Sequence, residues 1–120
     1  MKPIAGDMLR GHLEMLILAA LRQGEAHGLE ILRRLEVGGS GLLHLKEGSL
    51  YPALYRLEAS RMVKAVWEKQ AHGRRGARRR IYRLTSKGMG KLNKDQSQWR
   101  AFVGILDGIL APPQASLPSG

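Results

Sequence analysis

The spacing of apolar residues changes from a helical to a strand-like pattern just after Arg61 of this 120-residue chain. Before that point, apolar residues recur at the three- and four-residue intervals of helices with one buried face. After it, MVKAVWE (62–68) and RRRIYRL (78–84) are short segments rich in β-branched and aromatic residues, as strands are. A helical pattern returns after Thr85, which is a good N-cap residue. The pattern predicts a mainly α chain with one β-hairpin.

Two helices are predicted near the start of the chain. The first covers about residues 11–23 and is apolar on nearly every side, so it should lie centrally in the core. The second covers residues 27–37, is amphipathic and ends at GGSG, 38–41. Its expected inward-facing residues are Leu29, Ile31, Leu32 and Leu35. Its expected outward-facing residues are Arg33 and Arg34.

The third helix is predicted in EGSLYPALYRLEAS, residues 47–60, where Leu50, Leu54 and Leu57 form one buried face. Three helices followed by a hairpin are the parts of a winged helix-turn-helix. In that fold the third helix enters the major groove of DNA, and the hairpin, called the wing, reaches the flanking backbone. The predicted fold class is therefore a winged helix-turn-helix with a two-stranded wing and an added C-terminal helix.

The side of the third helix opposite its leucines carries groups suited to a DNA duplex. The free N–H groups of a first turn bind phosphate, and hydroxyl groups bond phosphates or base edges. Proline is tolerated close to a helix start, which would place that end at the ligand. The candidate DNA contacts are Gly48, Ser49, Tyr51, Pro52, Tyr55 and Arg56. The alternatives are a plain loop-to-helix entry with Tyr51 packed on a neighbour, and an ion pair of Arg56 with Glu47 or Glu58.

The wing is strongly basic. The chain has 20 Lys and Arg against 10 Asp and Glu, a net charge of +10, and such a surplus favours an anionic partner. Six arginines lie within residues 74–83, and no acidic residue occurs between Lys69 and Lys94. Arginine forks onto phosphate oxygens, so double-stranded DNA is the preferred partner. A membrane surface is less suitable because no amphipathic basic helix is present. The wing candidates are Arg74, Arg75, Arg78 and Arg79.

Several kinds of chemistry have no counterpart in the sequence. The chain has no cysteine, and its four histidines show no metal-binding spacing. The longest apolar run, Met15–Leu21, is far shorter than the ~20 residues of a membrane span. We therefore expect a cytoplasmic protein that is not an enzyme, with no cofactor, no metal and no membrane contact.

The C-terminal helix, residues 86–110, carries a short heptad seam. Leu92, Trp99 and Leu106 repeat every seven residues, and Phe102 and Ile109 follow at three-residue offsets. This face could cover the chain's own core, but a partner helix in a two-fold dimer is the preferred interpretation. The expected dimer residues are Leu92, Trp99, Phe102, Val103, Leu106 and Ile109.

The sequence resembles the PadR family of transcriptional regulators, in particular its short members. EGSLYPALYRLE, 47–58, matches the family's G-[ST]-LYP-x-L-x-R-LE core. Supporting matches are LILAAL (16–21), HGLEI (27–31), VKAVWE (63–68) and RRIYRLTSKG (79–88). The resemblance implies a dimeric winged-helix repressor that binds a palindromic operator, with the C-terminal helix as the dimer element.

The resemblance also implies particular contacts. It places DNA contacts at Gly48, Ser49, Tyr51, Pro52, the basic wing, and His27 and Gly28 at the start of the second helix. Family members often have tyrosine beside that glycine, whereas this chain has His27 and Leu29. Some members bind flat aromatic effectors near the dimer interface. Trp99 is the candidate stacking surface here, and ordinary packing is its alternative role.

The predicted division of the chain is an arm (1–8), a DNA-binding domain (9–85), a dimerisation helix (86–110) and a disordered tail (111–120). Two other functions stay open at this point. One is a basic RNA- or ribosome-associated winged module, which a monomeric state would favour. The other is a nuclease, which would cleave an oligonucleotide in the presence of a metal ion.

Overall fold

The computed structural model describes residues 11–69 and 78–113. The helices are α1 (Leu13–Leu21), α2 (Gly28–Gly38), α3 (Glu47–Ala59) and α4 (Ser86–Leu110). The strands are β1 (Ala26–His27), β2 (Val63–Trp67) and β3 (Arg80–Leu84). The expected arm at 1–8, Arg74 and Arg75 at the wing tip, and the tail beyond 113 lie outside the described residues.

The core forms where the three N-terminal helices meet the sheet and the first turns of α4. Its fully buried side chains are Ile17, Leu18, Ile31, Leu50, Leu54, Leu57, Val63 and Leu92. The three leucines of α3 are thus inward, as their spacing predicts. Helix α1 contributes Ile17 and Leu18 and packs against α2, α3 and α4, which confirms its predicted central place.

Helix α2 is rotated relative to its predicted orientation. Ile31 and Leu35 are buried and Leu32 is half-buried, but Leu29 is 48% exposed, so its predicted inward position is wrong. Arg34 was expected to face outward, and this is also wrong. Its Nη1 donates to the carbonyl oxygens of Ala20 at 3.1 Å and Gly24 at 2.7 Å. Arg34 thereby ties α2 to the last turn of α1 and to the loop that follows it.

The sheet contains one strand more than the sequence predicts. β2 and β3 form the expected antiparallel hairpin, with Ala65 opposite Tyr82. The short strand β1 pairs with the other edge of β3, with Ala26 also opposite Tyr82, so the strand order is β1-β3-β2. The winged helix-turn-helix fold class is confirmed. The third strand ties the start of α2 to the wing.

Thr85 caps α4, as predicted. Its Oγ1 accepts from the Gly88 N–H at 3.0 Å, and its hydroxyl donates to the Arg61 carbonyl at 2.7 Å. A side chain at position 88 would collide with the Met62 carbonyl, so glycine lets α4 approach the turn before β2. The start of α4 is thereby fixed to the winged domain. No helix among residues 11–69 and 78–113 is long and apolar enough to cross a bilayer.

Candidate nucleic-acid interface

The outward strip of α3 consists of exposed residues opposite its leucines: Gly48, Ser49, Pro52 and Tyr55. Tyr55 is 75% exposed. The helix begins at Glu47, with Lys46 in the cap position and no side chain capping it. Pro52 was expected close to the helix start, but it lies in the second turn, five residues after Glu47. Since proline has no N–H, the Gly48 carbonyl at the start of the strip has no bond from Pro52.

Tyr51 lies on the flank of this strip and packs on the backbone of Gly28. A Cβ atom added to Gly28 would stand 2.7 Å from Cζ of the Tyr51 ring, closer than real contacts allow. The packing interpretation of Tyr51 is thus correct for its ring. The side chain is nevertheless 41% exposed. Tyr51 therefore links α3 to the first residue of α2 and keeps part of its surface in solvent.

Arg56 lies on the other flank and makes a contact that the sequence did not suggest. Its Nε donates to Oε1 of Glu14 in α1 at 3.2 Å, so neither Glu47 nor Glu58 is its partner. The Arg56 side chain is still 58% exposed. Exposed ion pairs are weak, so Arg56 can exchange this partner for another anion at small cost.

A cavity of about 390 Å³ lies between the start of α2, the flank of α3 and the base of the wing. Its lining residues are His27, Gly28, Leu29, Tyr51, Trp67, Arg78, Arg79, Arg80 and Tyr82. Five of these are predicted DNA contacts that come from three separate segments of the chain. The described structure brings them together, whereas Arg74 and Arg75 lie outside it.

His27 connects α2 to the wing through its two ring nitrogens. Nδ1 lies 3.2 Å from the Glu30 amide at the start of α2, and Nε2 lies 2.7 Å from Nη1 of Arg79. A neutral imidazole has only one nitrogen lone pair that accepts, so a single tautomer cannot satisfy both contacts. Hydrogen bonds from Arg33 hold the pKa of the Glu30 carboxyl below its usual value. Because His27 cannot accept at both ring nitrogens, its contact with Arg79 is one that an incoming anion could replace.

Arg80 is a member of this cavity that sequence reasoning did not single out. Its Nη2 donates to Oε2 of Glu58 at 2.5 Å, and its guanidinium lies 5.7 Å from the centre of the Trp67 ring. Burial raises the pKa of the nearby Tyr82 hydroxyl. A run of arginines gives no sign of which one is paired, so only the fold distinguishes Arg80 from its neighbours.

Helix α4 leaves the core after its third turn and exposes an apolar face. Exposure is 41% at Trp99, 52% at Phe102 and 73% at Ile109, and Val103 and Leu106 are half-buried. Leu92 is 1% exposed within the chain's own core, so its side chain is not accessible to a partner. Two further exposed apolar residues of this region, Ile105 and Leu110, lie outside the predicted set of dimer residues.

A groove of about 500 Å³ lies where α4 passes the start of α1. Its aromatic lining is Trp99 and Phe102, and the His12 ring meets Trp99 edge-on at 4.8 Å between centroids. Glu14, the partner of Arg56, also lines this groove. The groove therefore adjoins a residue that contacts α3.

Comparison with known proteins decides the family. The model of the Transcriptional regulator PadR-like family matches residues 17–94, which is well over half of the chain. This chain belongs to the PadR family. The recognition made from EGSLYPALYRLE is confirmed, and the PadR segment covers α3, the wing and the start of α4.

Solved structures support this assignment. A transcriptional regulator from Clostridium thermocellum has a TM-score of 0.78 at 26% identity, covering 89% of this chain and 98% of its own. A PadR-like transcriptional regulator from Bacillus cereus has a TM-score of 0.75 at 27% identity, covering 90% and 100%. An uncharacterized protein of Lysinibacillus sphaericus is 28% identical over 104 residues, 87% of this chain and 93% of that protein.

PadR membership settles the broad class of activity. The chain is a DNA-binding transcriptional regulator and not an enzyme, so the nuclease alternative is set aside. The expected contacts at individual residues stay predictions.

Proposed function

We propose that this PadR-family chain is a sequence-specific repressor that binds a palindromic operator as a homodimer, through α3 and the basic wing. The observation that carries the proposal is the cavity that joins His27, Tyr51, Arg78 and Arg79 beside the outward strip of α3. The cationic side chains of this cavity belong to the wing, and another part of its lining is the start of α2. One duplex could therefore contact the wing and the start of α2 while α3 lies in the major groove. The chain would then act in the cytoplasm, beside the DNA that it regulates.

We propose that one group of residues contacts the DNA phosphates and another contacts the base edges. Arg78, Arg79 and the wing-tip arginines Arg74 and Arg75 bind phosphates, together with the start of α2 at His27 and Gly28. On α3, the Tyr55 side chain is 75% exposed and projects from the outward strip, where its hydroxyl can meet base edges. Gly48, Ser49 and Pro52 let the helix approach the groove closely. Tyr51 and Arg56 contribute from the two flanks.

The dimer is proposed to form through α4. Trp99, Phe102, Leu106 and Ile109 share one helix face, and burying large apolar side chains stabilises by ~1.5–3 kcal/mol each when burial is complete. Residues 9–85 then form the DNA-binding domain and residues 86–110 the dimerisation helix, between the arm (1–8) and the tail (111–120). Light scattering at micromolar concentration should report twice the chain mass of 13.3 kDa. The Trp99→Glu variant should instead have the mass of a single chain. A monomeric parent would contradict the dimer and the palindrome.

Selection of bound sequences from a random duplex pool tests the whole proposal. Enrichment of one palindromic sequence is expected, and this sequence placed over a reporter promoter should lower transcription when the protein is present. A matched RNA pool is the control for the alternative of an RNA- or ribosome-associated module. Preference for RNA, or absence of any enriched duplex, would contradict the proposal. Raised transcription would contradict only the repressor role.

The groove beside Trp99 supports a small aromatic effector as part of this proposal. Trp99 and Phe102 offer stacking surfaces, with their centroids 6.1 Å apart. Trp67→Phe leaves Trp99 as the single tryptophan of the chain, so its fluorescence reports on the groove. Quenching by a flat aromatic compound, together with weakened operator binding, would support an effector. Absence of quenching would indicate ordinary packing, and quenching that leaves operator binding unchanged would indicate a bound compound that does not act as an effector.

A further inference from the structure

We propose that Glu58 and Arg80 position the wing for DNA binding without contacting DNA themselves. The inference rests on the proposed phosphate contacts of the wing. Glu58 lies in the last turn of α3 and Arg80 is the first residue of β3, and their side chains form an ion pair at 2.5 Å. Within residues 11–69 and 78–113, no other side-chain hydrogen bond joins α3 to either wing strand.

Two neighbours hold the Arg80 guanidinium in place. One is Glu58, and another is the Trp67 ring, 5.7 Å from the guanidinium carbon. Arg80 and Trp67 are directly opposite in the β2–β3 register, so this stacking joins the two wing strands. Its Nε is buried and makes no hydrogen bond within the described structure. Arg80 is thus directed at Glu58 and Trp67, and its charge is already balanced by a carboxylate.

Fixing Arg80 also fixes the residues immediately before it. Arg79 continues the hairpin, because its amide donates to Oε1 of Glu68 at 2.9 Å and its carbonyl accepts from the Glu68 amide at 2.9 Å. A free hairpin end could swing away from the groove-binding helix. The Glu58–Arg80 pair ties this end to α3, so that helix and wing reach the duplex in one geometry. Pre-organisation of this kind reduces the entropy lost on binding.

The charge of Glu58 makes the test sharp. Glu58→Gln removes a negative charge and raises the formal net charge by one from +10, so electrostatics alone predicts tighter binding to DNA. Positioning predicts the opposite: a loss of affinity of about two- to thirtyfold. It also predicts a shallower salt dependence, by about 0.9 units for each phosphate contact that the displaced wing loses. The matched control is Glu36→Gln, an equal charge change at an exposed site on α2.

The experiment measures anisotropy of a labelled mixed-sequence duplex with the full chain over a series of salt concentrations. The parent must bind, since failure there would contradict the proposed function itself. Glu58→Gln should bind more weakly than the parent, and Glu36→Gln equally or slightly more tightly. Arg80→Gln should weaken binding too, and the double variant should be no weaker than the worse single variant because both lose the same contact.

Three outcomes would overturn the inference while leaving the proposed function standing. Glu58→Gln could bind as tightly as the parent or more tightly. The two single losses could add in the double variant, which would mean that Arg80 contacts DNA independently. Finally, circular dichroism could show Glu58→Gln unfolded at the assay temperature. The pair would then hold the domain together and not set the wing's position.

Discussion

The Tyr51 ring of α3 lies against the backbone of Gly28 at the start of α2, where a methyl group would stand 2.7 Å from its Cζ atom. This contact joins the two helices at the edge of the proposed DNA interface. It explains why position 28 holds glycine, since any side chain there would displace the ring. It also fixes the part of Tyr51 that stays exposed.

Gly28→Ala should therefore affect DNA binding more than stability. The atoms in the way belong to the far end of a half-exposed side chain, so the ring can move aside, and the melting temperature should change little. Duplex affinity should fall by ~0.5–1.5 kcal/mol, the net value of one hydrogen bond, as it should in Tyr51→Phe. The control is Gly38→Ala, where an added methyl meets nothing within 4 Å. Unchanged affinity in both Gly28→Ala and Tyr51→Phe would remove Tyr51 from the interface.

Leu54 and Tyr55 are adjacent in α3 and should separate folding from binding. Leu54 is fully buried, so Leu54→Ala should lower the free energy of unfolding by about 2–5 kcal/mol. Tyr55 is 75% exposed, so Tyr55→Ala should change it by less than ~0.5 kcal/mol while weakening DNA binding. Urea denaturation measures the free energy of unfolding of each variant, and duplex titration measures its DNA affinity. Full DNA affinity in a folded Tyr55→Ala protein would contradict the outward assignment of α3.

The sequence was most informative where a periodic pattern extended over several turns. Helices α1 to α4 and the β2–β3 hairpin follow from such patterns, and Thr85 was identifiable as a cap because capping is local. Strand β1 has only two residues, too few to show a period. Its pairing depends on β3, more than fifty positions later.

Errors arose where long side chains or distant partners decide the outcome. Arg34 reaches back to the carbonyls that end α1, and Arg56 pairs with Glu14, 42 positions away. Leu92 fits a heptad seam in sequence, yet it lies in the turns of α4 that cover the core. The sequence indicated most residues of the proposed DNA interface, but it did not show that they line one cavity. Arg80 was missed because its partner, Glu58, is close only in the folded chain.

Arg61 lies two residues after the end of α3 and has a left-handed conformation, with φ of 65°. That conformation costs a residue with a side chain about 1–2 kcal/mol, whereas glycine adopts it freely. Glycine loses ~0.5–1 kcal/mol through its more flexible unfolded chain. Arg61→Gly should therefore raise the free energy of unfolding by about 0–1.5 kcal/mol in urea denaturation. Arg61→Ala keeps the strain and also removes the charge, so an equal gain there would mean that charge, not conformation, is responsible.

The burial of Tyr82 should make the free energy of unfolding depend on pH in alkaline solution. Burial raises its pKa in the folded chain above the ordinary value of about 10, so the unfolded chain loses this proton first as pH rises. The resulting stability is present below pH ~10 and is lost as pH rises through the raised pKa. Between roughly pH 9 and 11, the free energy of unfolding should fall less in Tyr82→Phe than in the parent. The exposed Tyr55→Phe is the control, and a decline equal in all three proteins would contradict the prediction.

The salt dependence of duplex binding tests the central claim most directly. If Arg78 and Arg79 bind phosphates, Arg78→Ala/Arg79→Ala should weaken binding to all duplexes and lower the slope of log K against log salt by about two units. Arg33→Ala/Arg100→Ala removes the same charge from exposed sites on α2 and α4 and should leave the slope near that of the parent. A slope that is unchanged in the wing variant, or reduced equally in both, would show that the wing arginines do not form the DNA interface.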